Sequence, residues 1–126
     1  MALVMVMEDE PNIALVLEIA LTEEGNEVIT LPNGLLGLER LKQKPAPEII
    51  FVDLNMPILS GRTVIEKINA DPNLRHIPVV ILSGCMPDLD NAPPRESYRA
   101  LLSKPFDLDE VINMVNVLSA GKQQAV

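Results

Sequence analysis

Aromatic residues are nearly missing from this chain, which has one Tyr, two Phe and no Trp in 126 residues. A domain of this length buries about two-thirds of its unfolded surface. Its core must therefore be aliphatic, and a hydrophobic content of 48% supplies the material. Cysteine is scarce too: Cys85 stands alone, so no internal disulfide can form, which fits a reducing compartment such as the cytoplasm. Cys85 reads as a small filler rather than a redox switch. His76 is the only histidine. It lies in a loop before Pro78, where exposure is expected, and leaves too little for a histidine metal site or a Ser-His-Asp triad. Basic residues number 10 against 18 acids, a net charge of −8. That argues against a basic surface for nucleic acid or an anionic membrane. Long apolar runs are also lacking. "ALVMVM" (2–7) is broken by Glu8, is too short to span a bilayer and has no basic region of a signal peptide before it.

What remains is an alternation of short apolar runs and helical periodicities. "ALVMVM" (2–7), "NEVITL" (26–31), "EIIFVD" (48–53), "IPVVILSG" (77–84) and "YRALLSK" (98–104) read as strands. Between the first two, Pro11 suits a first helical turn, Ile13, Val16, Leu17, Ala20 and Leu21 recur at helical spacing, and Gly25 sits at the C-cap. Asn33 can cap a second helix, stopped before Pro45 and Pro47. "RTVIEKINA" (62–70) predicts a third, and "DLDEVINMVNVLSAG" (107–121) a last one with Asp107 and Glu110 in its capping box. The tail, 122–126, is expected to fray. Continuous apolar strands alternating with helices predict a parallel sheet covered on both faces in one α/β domain over 1–121. One stretch departs from the pattern: "CMPDLDNAPPRES" (85–97) carries Pro87, Pro93 and Pro94, which disfavour a regular connecting helix.

Ligands of open parallel sheets gather at the carboxyl ends of the strands. There the sequence places Glu8, Asp9 and Glu10 after strand one, Asp53 after strand three, Ser83 and Gly84 after strand four, and Lys104 after strand five. Two carboxylates about 4 Å apart repel by roughly 4 kcal/mol at an effective dielectric near 20. Glu8, Asp9 and Asp53 must therefore raise one another's pKa values or recruit a cation. Hard oxygen donors beside an open, watery side suit Mg²⁺. A carboxylate nucleophile, a metal, the Lys104 ammonium and the Ser83 hydroxyl together describe phosphoryl transfer onto Asp53. Taken singly, Asp53 reads equally as a turn residue, Glu8 and Asp9 as acids at a helix N-terminus, Lys104 as a solvated lysine and Ser83 as a loop hydroxyl. Pro57 and Gly61 shape the turn after Asp53, with Gly61 letting the next helix start close to the backbone.

With "MEDEP", "VDLNMPILSG", "ILSG" and "SKPF" at successive strand ends, the chain resembles the receiver domain of two-component response regulators. No one motif is decisive, but four in the right order are specific, and the resemblance spans essentially the whole chain. It implies a flavodoxin-like (βα)5 α/β/α sandwich with strand order 2-1-3-4-5, its fourth helix short or irregular because of the prolines. It implies that Asp53 accepts phosphate from a sensor histidine kinase or phosphotransfer protein. Asp9 and Asp53 would ligate Mg²⁺ directly with the backbone carbonyl of Asn55, and Glu8 mainly through water. Ser83 and Lys104 would hold the phosphoryl group, and the bond before Pro105 would be cis. Output would pass to a downstream effector protein, as expected of a stand-alone receiver with no conventional enzyme activity.

Two features depart from the family. Leu101 stands where receivers carry the aromatic switch partner of Ser83, and Tyr98 is out of register with that position. The proline-bearing 85–97 segment, expected to become ordered on phosphorylation, falls on the fourth helix. These departures keep open a phosphate-independent scaffold. An aspartate-nucleophile phosphatase of the haloacid-dehalogenase kind is a further alternative, weakened by Asn55 where that group needs a second Asp.

Overall fold

A computed structural model describes residues 2–84 and 93–124, and side chains within the last helix as far as Ser119. Five strands, β1 (Leu3–Met7), β2 (Glu27–Leu31), β3 (Ile49–Asp53), β4 (Val79–Ser83) and β5 (Ala100–Ser103), form one parallel sheet in the order β2-β1-β3-β4-β5. Helices α1 (Pro11–Glu23), α2 (Gly34–Leu41), α3 (Gly61–Ala70) and α4 (Leu108–Gln124) cover it. This is the expected flavodoxin-like arrangement.

Strand alternation divides the core into two. Val4, Val6, Ile49, Phe51, Val80 and Leu82 face Leu17 and Leu21 of α1 and Val111 and Val115 of α4. Their neighbours Met5, Met7, Ile50, Val52, Val79 and Ile81 face Leu41 of α2 and Val64, Ile65 and Ile68 of α3. Successive side chains of a strand point to opposite faces, so burial on both sides requires unbroken apolar runs. Phe51 is the one aromatic in this fully buried set. Replacing it by Ala would cost about 3–5 kcal/mol, transfer and cavity together.

The helices begin and end as their local chemistry dictates. The Asn33 side chain accepts from Leu36 N–H at 2.9 Å, capping α2. Ser60 Oγ accepts from Thr63 N–H at 3.2 Å at the start of α3. Asp107 Oδ1 accepts from Asp109 N–H at 2.9 Å ahead of α4. Gly25 ends the α1 turn with φ +91°. His76 is exposed, as expected.

Several boundaries differ from the sequence reading. The α4 helix runs to Gln124, into the tail expected to fray. The strand expected over 98–104 pairs only across Ala100–Ser103. No α-helix is seen among the described residues between β4 and β5, where Arg95–Ser97 form a single 3-10 turn. Cys85 and the rest of 85–92, with the ordering expected there, lie outside the described residues. Two peptide bonds are cis: Lys104–Pro105, as the resemblance implied, and Lys44–Pro45, which it did not.

Candidate functional site

Register brings the polar residues together. Met7 of β1 lies level with Val52 of β3, so Glu8 follows β1 beside Asp53. Asp53 pairs with Leu82 of β4, and Ser83 pairs with Ser103 of β5, immediately before Lys104. Glu8, Asp53 and Ser83 are almost fully buried, at 2%, 3% and 2% exposure. The dry strands thus deliver polar groups to one edge without letting water surround them.

The Lys104 ammonium bridges the acids. Its Nζ lies 2.7 Å from Glu8 Oε1, 3.1 Å from Asp53 Oδ2 and 3.8 Å from Glu10 Oε1. Lys104 N–H also donates to the Ser83 carbonyl at 2.6 Å, fixing the lysine to the end of β4. The other Asp53 oxygen, Oδ1, accepts from Asn55 N–H at 2.9 Å. Glu8 Oε2 accepts from Glu10 N–H at 3.1 Å.

Glu8 Oε1 is the exception. It touches Lys104 as an ion pair, but not in hydrogen-bonding alignment, and is buried without a hydrogen-bond partner. Burial pushes the Glu8 carboxyl up to about 7; Lys104 and the Glu10 N–H oppose the rise, and Asp53 adds to it. Burial pulls Lys104 down, but Glu8 and Asp53 outweigh it and the net direction is upward.

Oxygens of Glu8, Asp9 and Asp53 lie within 4.8 Å of one another. Three hard carboxylates on a partly open edge, sharing one ammonium among them, are a donor set that fits Mg²⁺. The backbone of Asn55 is within the same turn, its own side chain exposed.

The loop after Asp53 is built around two unusual residues. A Cβ on Gly61 would overlap the Asp53 carbonyl oxygen and crowd Leu54 Cα, so only glycine lets α3 start there. Pro57 is exposed in this loop. Ile58 follows it at φ +71°, and Leu59 N–H donates to the Pro57 carbonyl at 2.7 Å, closing a strained γ-turn. Nothing in the residue type Ile announces that conformation. Leu101 pairs with Ile81 and is partly buried on the α2–α3 side of the sheet, with Tyr98 packed on the same side. Tyr98 precedes β5, at the far end of the sheet from Lys104, and the Arg95 guanidinium lies 5.1 Å from its ring centroid.

All the expected site residues except Leu101 meet at this edge. The Asn55 amide on Asp53 was not foreseen, since backbone donors carry no residue signature; an Asp two residues ahead of a turn is the signal that could have found it.

Known proteins match this arrangement. Sensor histidine kinase TmoS of Ectopseudomonas mendocina is 32% identical over 94% of this chain, which spans 12% of that protein. Protein PilH of Pseudomonas aeruginosa is 27% identical over 96% of the chain and 100% of its own length. Among solved structures, a receiver domain protein from Clostridium thermocellum is 28% identical with a TM-score of 0.86, covering 100% of both chains. The Mn²⁺-bound form of response regulator Rcp1 is 27% identical with a TM-score of 0.77, over 100% of this chain and 97% of that one. The response regulator receiver domain profile matches residues 4–116, and the chain belongs to that family.

Proposed function

We propose that the chain is a phosphorylation-dependent signalling switch that receives a phosphoryl group on Asp53 from a histidine kinase or phosphotransfer protein and then alters its binding to an effector. One observation carries this reading. The Asp53 carboxylate is buried at a strand end, held by Asn55 N–H on one oxygen and by Lys104 on the other, with Glu8 and Asp9 beside it.

An Asp53 oxygen forms the new bond to phosphorus as the phosphorus–nitrogen bond of the donor phosphohistidine breaks. The bonding pair leaves with the imidazole, and an acyl phosphate results. Lys104, already 3.1 Å from Oδ2, shifts its charge onto the phosphoryl oxygens. Ser83, the last residue of β4, would offer its hydroxyl to the same group. Asp9, Asp53 and the Asn55 carbonyl would hold Mg²⁺, with Glu8 acting mainly through water. Bound there, the ion supplies charge neutralisation for the incoming phosphoryl group. The manganese form of Rcp1 supports a divalent ion in this fold.

The chain promotes its own transfer and slow hydrolysis without acting as a conventional enzyme. Leu101, lacking a phenolic hydroxyl and paired with Ile81, does not offer Ser83 the aromatic switch partner of the family. None of the helices is long and apolar enough to cross a membrane among the described residues, which fits a cytoplasmic place.

The test is Phos-tag mobility and intact mass after incubation with Mg²⁺ and acetyl phosphate. Wild type becomes modified and Asp53→Asn does not. Folded wild type that stays unmodified overturns the switch in favour of the scaffold, and turnover of a small phosphate ester would favour the phosphatase.

A further inference from the structure

The chain has five arginines, and three of them are engaged within the fold. Arg40 donates to the carbonyls of Gln43 and Pro45 at 3.2 and 3.0 Å. Arg62 pairs with Glu66 at 3.3 Å, one turn along α3. Arg95 donates to the Tyr98 carbonyl at 3.3 Å and lies over the Tyr98 ring. Arg75 and Arg99 are the other two. Neither side chain makes an ion pair or a hydrogen bond among the described residues, and both line the same small cavity.

That cavity, of about 40 Å³, lies at the amino end of the sheet, beside the starts of β4 and β5. Asn69 of α3, Glu96 and Ser97 of the 3-10 turn, and Tyr98 join the arginines in a chiefly polar wall. The frame around it is fixed by hydrogen bonds. Arg99 N–H donates to the Val79 carbonyl at 2.8 Å, which pins it to β4. Arg75 N–H donates to the Asp71 carbonyl at 2.9 Å, and Ile77 N–H to the Leu74 carbonyl at 2.9 Å, which closes the turn around Arg75. Asn69 Nδ2 donates to the Ser97 carbonyl at 3.0 Å and ties α3 to the opposite wall.

We propose that Arg75 and Arg99 bind the phosphate group of a small phosphate monoester. A guanidinium is a planar fork of N–H donors with no acceptor, which matches the oxygens of a compact oxyanion. Two cations brought to one cavity repel, and a dianion offsets that repulsion. The cavity exceeds the roughly 10–15 Å³ that one water needs, and it admits a tetrahedral phosphate but not an aromatic ring. Glu96, ionised, is an acceptor only. It suits a hydroxyl on the alcohol part of the ester and opposes a second phosphate, so a polyol monophosphate fits better than a diphosphate. A nucleic-acid backbone is further opposed by the net charge of −8. The site is separate from the phosphoacceptor, at the other end of the sheet. Helix α3 spans the two, from Gly61 against the Asp53 main chain to Asn69 in the cavity wall. The proposal does not depend on phosphate chemistry at Asp53.

The test is an NMR titration of the full ¹⁵N-labelled chain in EDTA, which removes metal from the acidic edge. The probes are glycerol 3-phosphate, inorganic phosphate, glycerol and a phosphoserine peptide. Glycerol 3-phosphate shifts the amide signals of Arg75 and Arg99 saturably. Inorganic phosphate shifts the same signals more weakly, and glycerol leaves them unmoved. Arg75→Lys/Arg99→Lys keeps both charges but removes both forks, and it weakens the ester by about tenfold or more. Arg62→Lys, on the same helix as Asn69 but outside the cavity, binds like wild type; circular dichroism verifies that both variants are folded. A double-lysine variant that binds like wild type reduces the site to general charge attraction and overturns the proposal. So does a shift confined to the residues around Asp53 and Lys104, or no saturable shift at all. Tighter binding of the phosphoserine peptide than of glycerol 3-phosphate overturns the small ester as the occupant.

Discussion

The two ends of the sheet handle buried polar groups in opposite ways. At the amino end, Asn26 is 8% exposed and both sides of its amide are used. Its Oδ1 accepts from Ala2 N–H at 3.0 Å and its Nδ2 donates to the Leu21 carbonyl at 3.1 Å. Glu48 nearby accepts from Leu3 N–H at 3.1 Å. At the carboxyl end, Glu8 is buried more deeply, its Oε1 is met only by the Lys104 ammonium at 2.7 Å, and like-charged Asp53 lies next to it. Fully hydrogen-bonded polar groups tie a fold together; several buried acids sharing a single ammonium cost stability and mark where a cation is expected.

That contrast can be broken or sharpened by substitution. The largest expected effect is at the carboxyl end: Lys104→Ala should slow phosphorylation by acetyl phosphate by about 10²–10³, the cost of one preorganised charge donor. Stopped-flow or Phos-tag time courses measure it, and an unchanged rate would remove Lys104 from the chemistry.

Glu8 gives the next effect, and it appears as pH dependence. Its folded pKa is raised to about 7 from an ordinary 4.5, so the folded state holds a proton that the unfolded state has lost. Without divalent metal, its contribution therefore falls as pH rises from about 4.5 to 7, by about 3 kcal/mol at 1.36 kcal/mol per unit. Urea melts of wild type relative to Glu8→Gln should diverge across that window, and Mg²⁺ should reduce the divergence by favouring the ionised carboxylate. Parallel curves would contradict it.

At the amino end, Asn26→Ala should cost about 2 kcal/mol by stranding buried backbone groups, while leaving the phosphorylation rate intact. Loss of phosphorylation in a folded Asn26 variant would blur the division between the two ends. The smallest effect is at Ile58, which is 73% exposed at φ +71° and gains no burial in exchange for its strain. Ile58→Gly should stabilise the chain by about 1 kcal/mol, read as a rise in Tm.

Much of this was legible in the sequence because it rests on periodicity. Unbroken runs such as "IIFV" and "VVIL" require two covered faces, and their ends place Glu8, Asp53, Ser83 and Lys104 on one edge. Gly61 was legible from its spacing after Asp53. The sheet order came from resemblance, since local patterns do not say which strands are neighbours. Other features were out of reach for physical reasons. The left-handed backbone of Ile58 runs against its side-chain preference. The bond from Asn55 N–H to Asp53 depends on a donor every residue but proline has. Asn26 looked like the start of a strand, because two-sided satisfaction of an amide depends on residues as distant as Ala2. Helix α4 outran its expected end because Gly121 is compatible with a C-cap without imposing one.

Gly61 has a mechanical consequence. The first residue of α3 rests directly on the main chain of Asp53, with no room for even a methyl group between them. Such a joint has no play. A displacement of the Asp53 main chain is handed to the foot of α3 rather than absorbed, which makes that helix a lever with its fulcrum at Asp53.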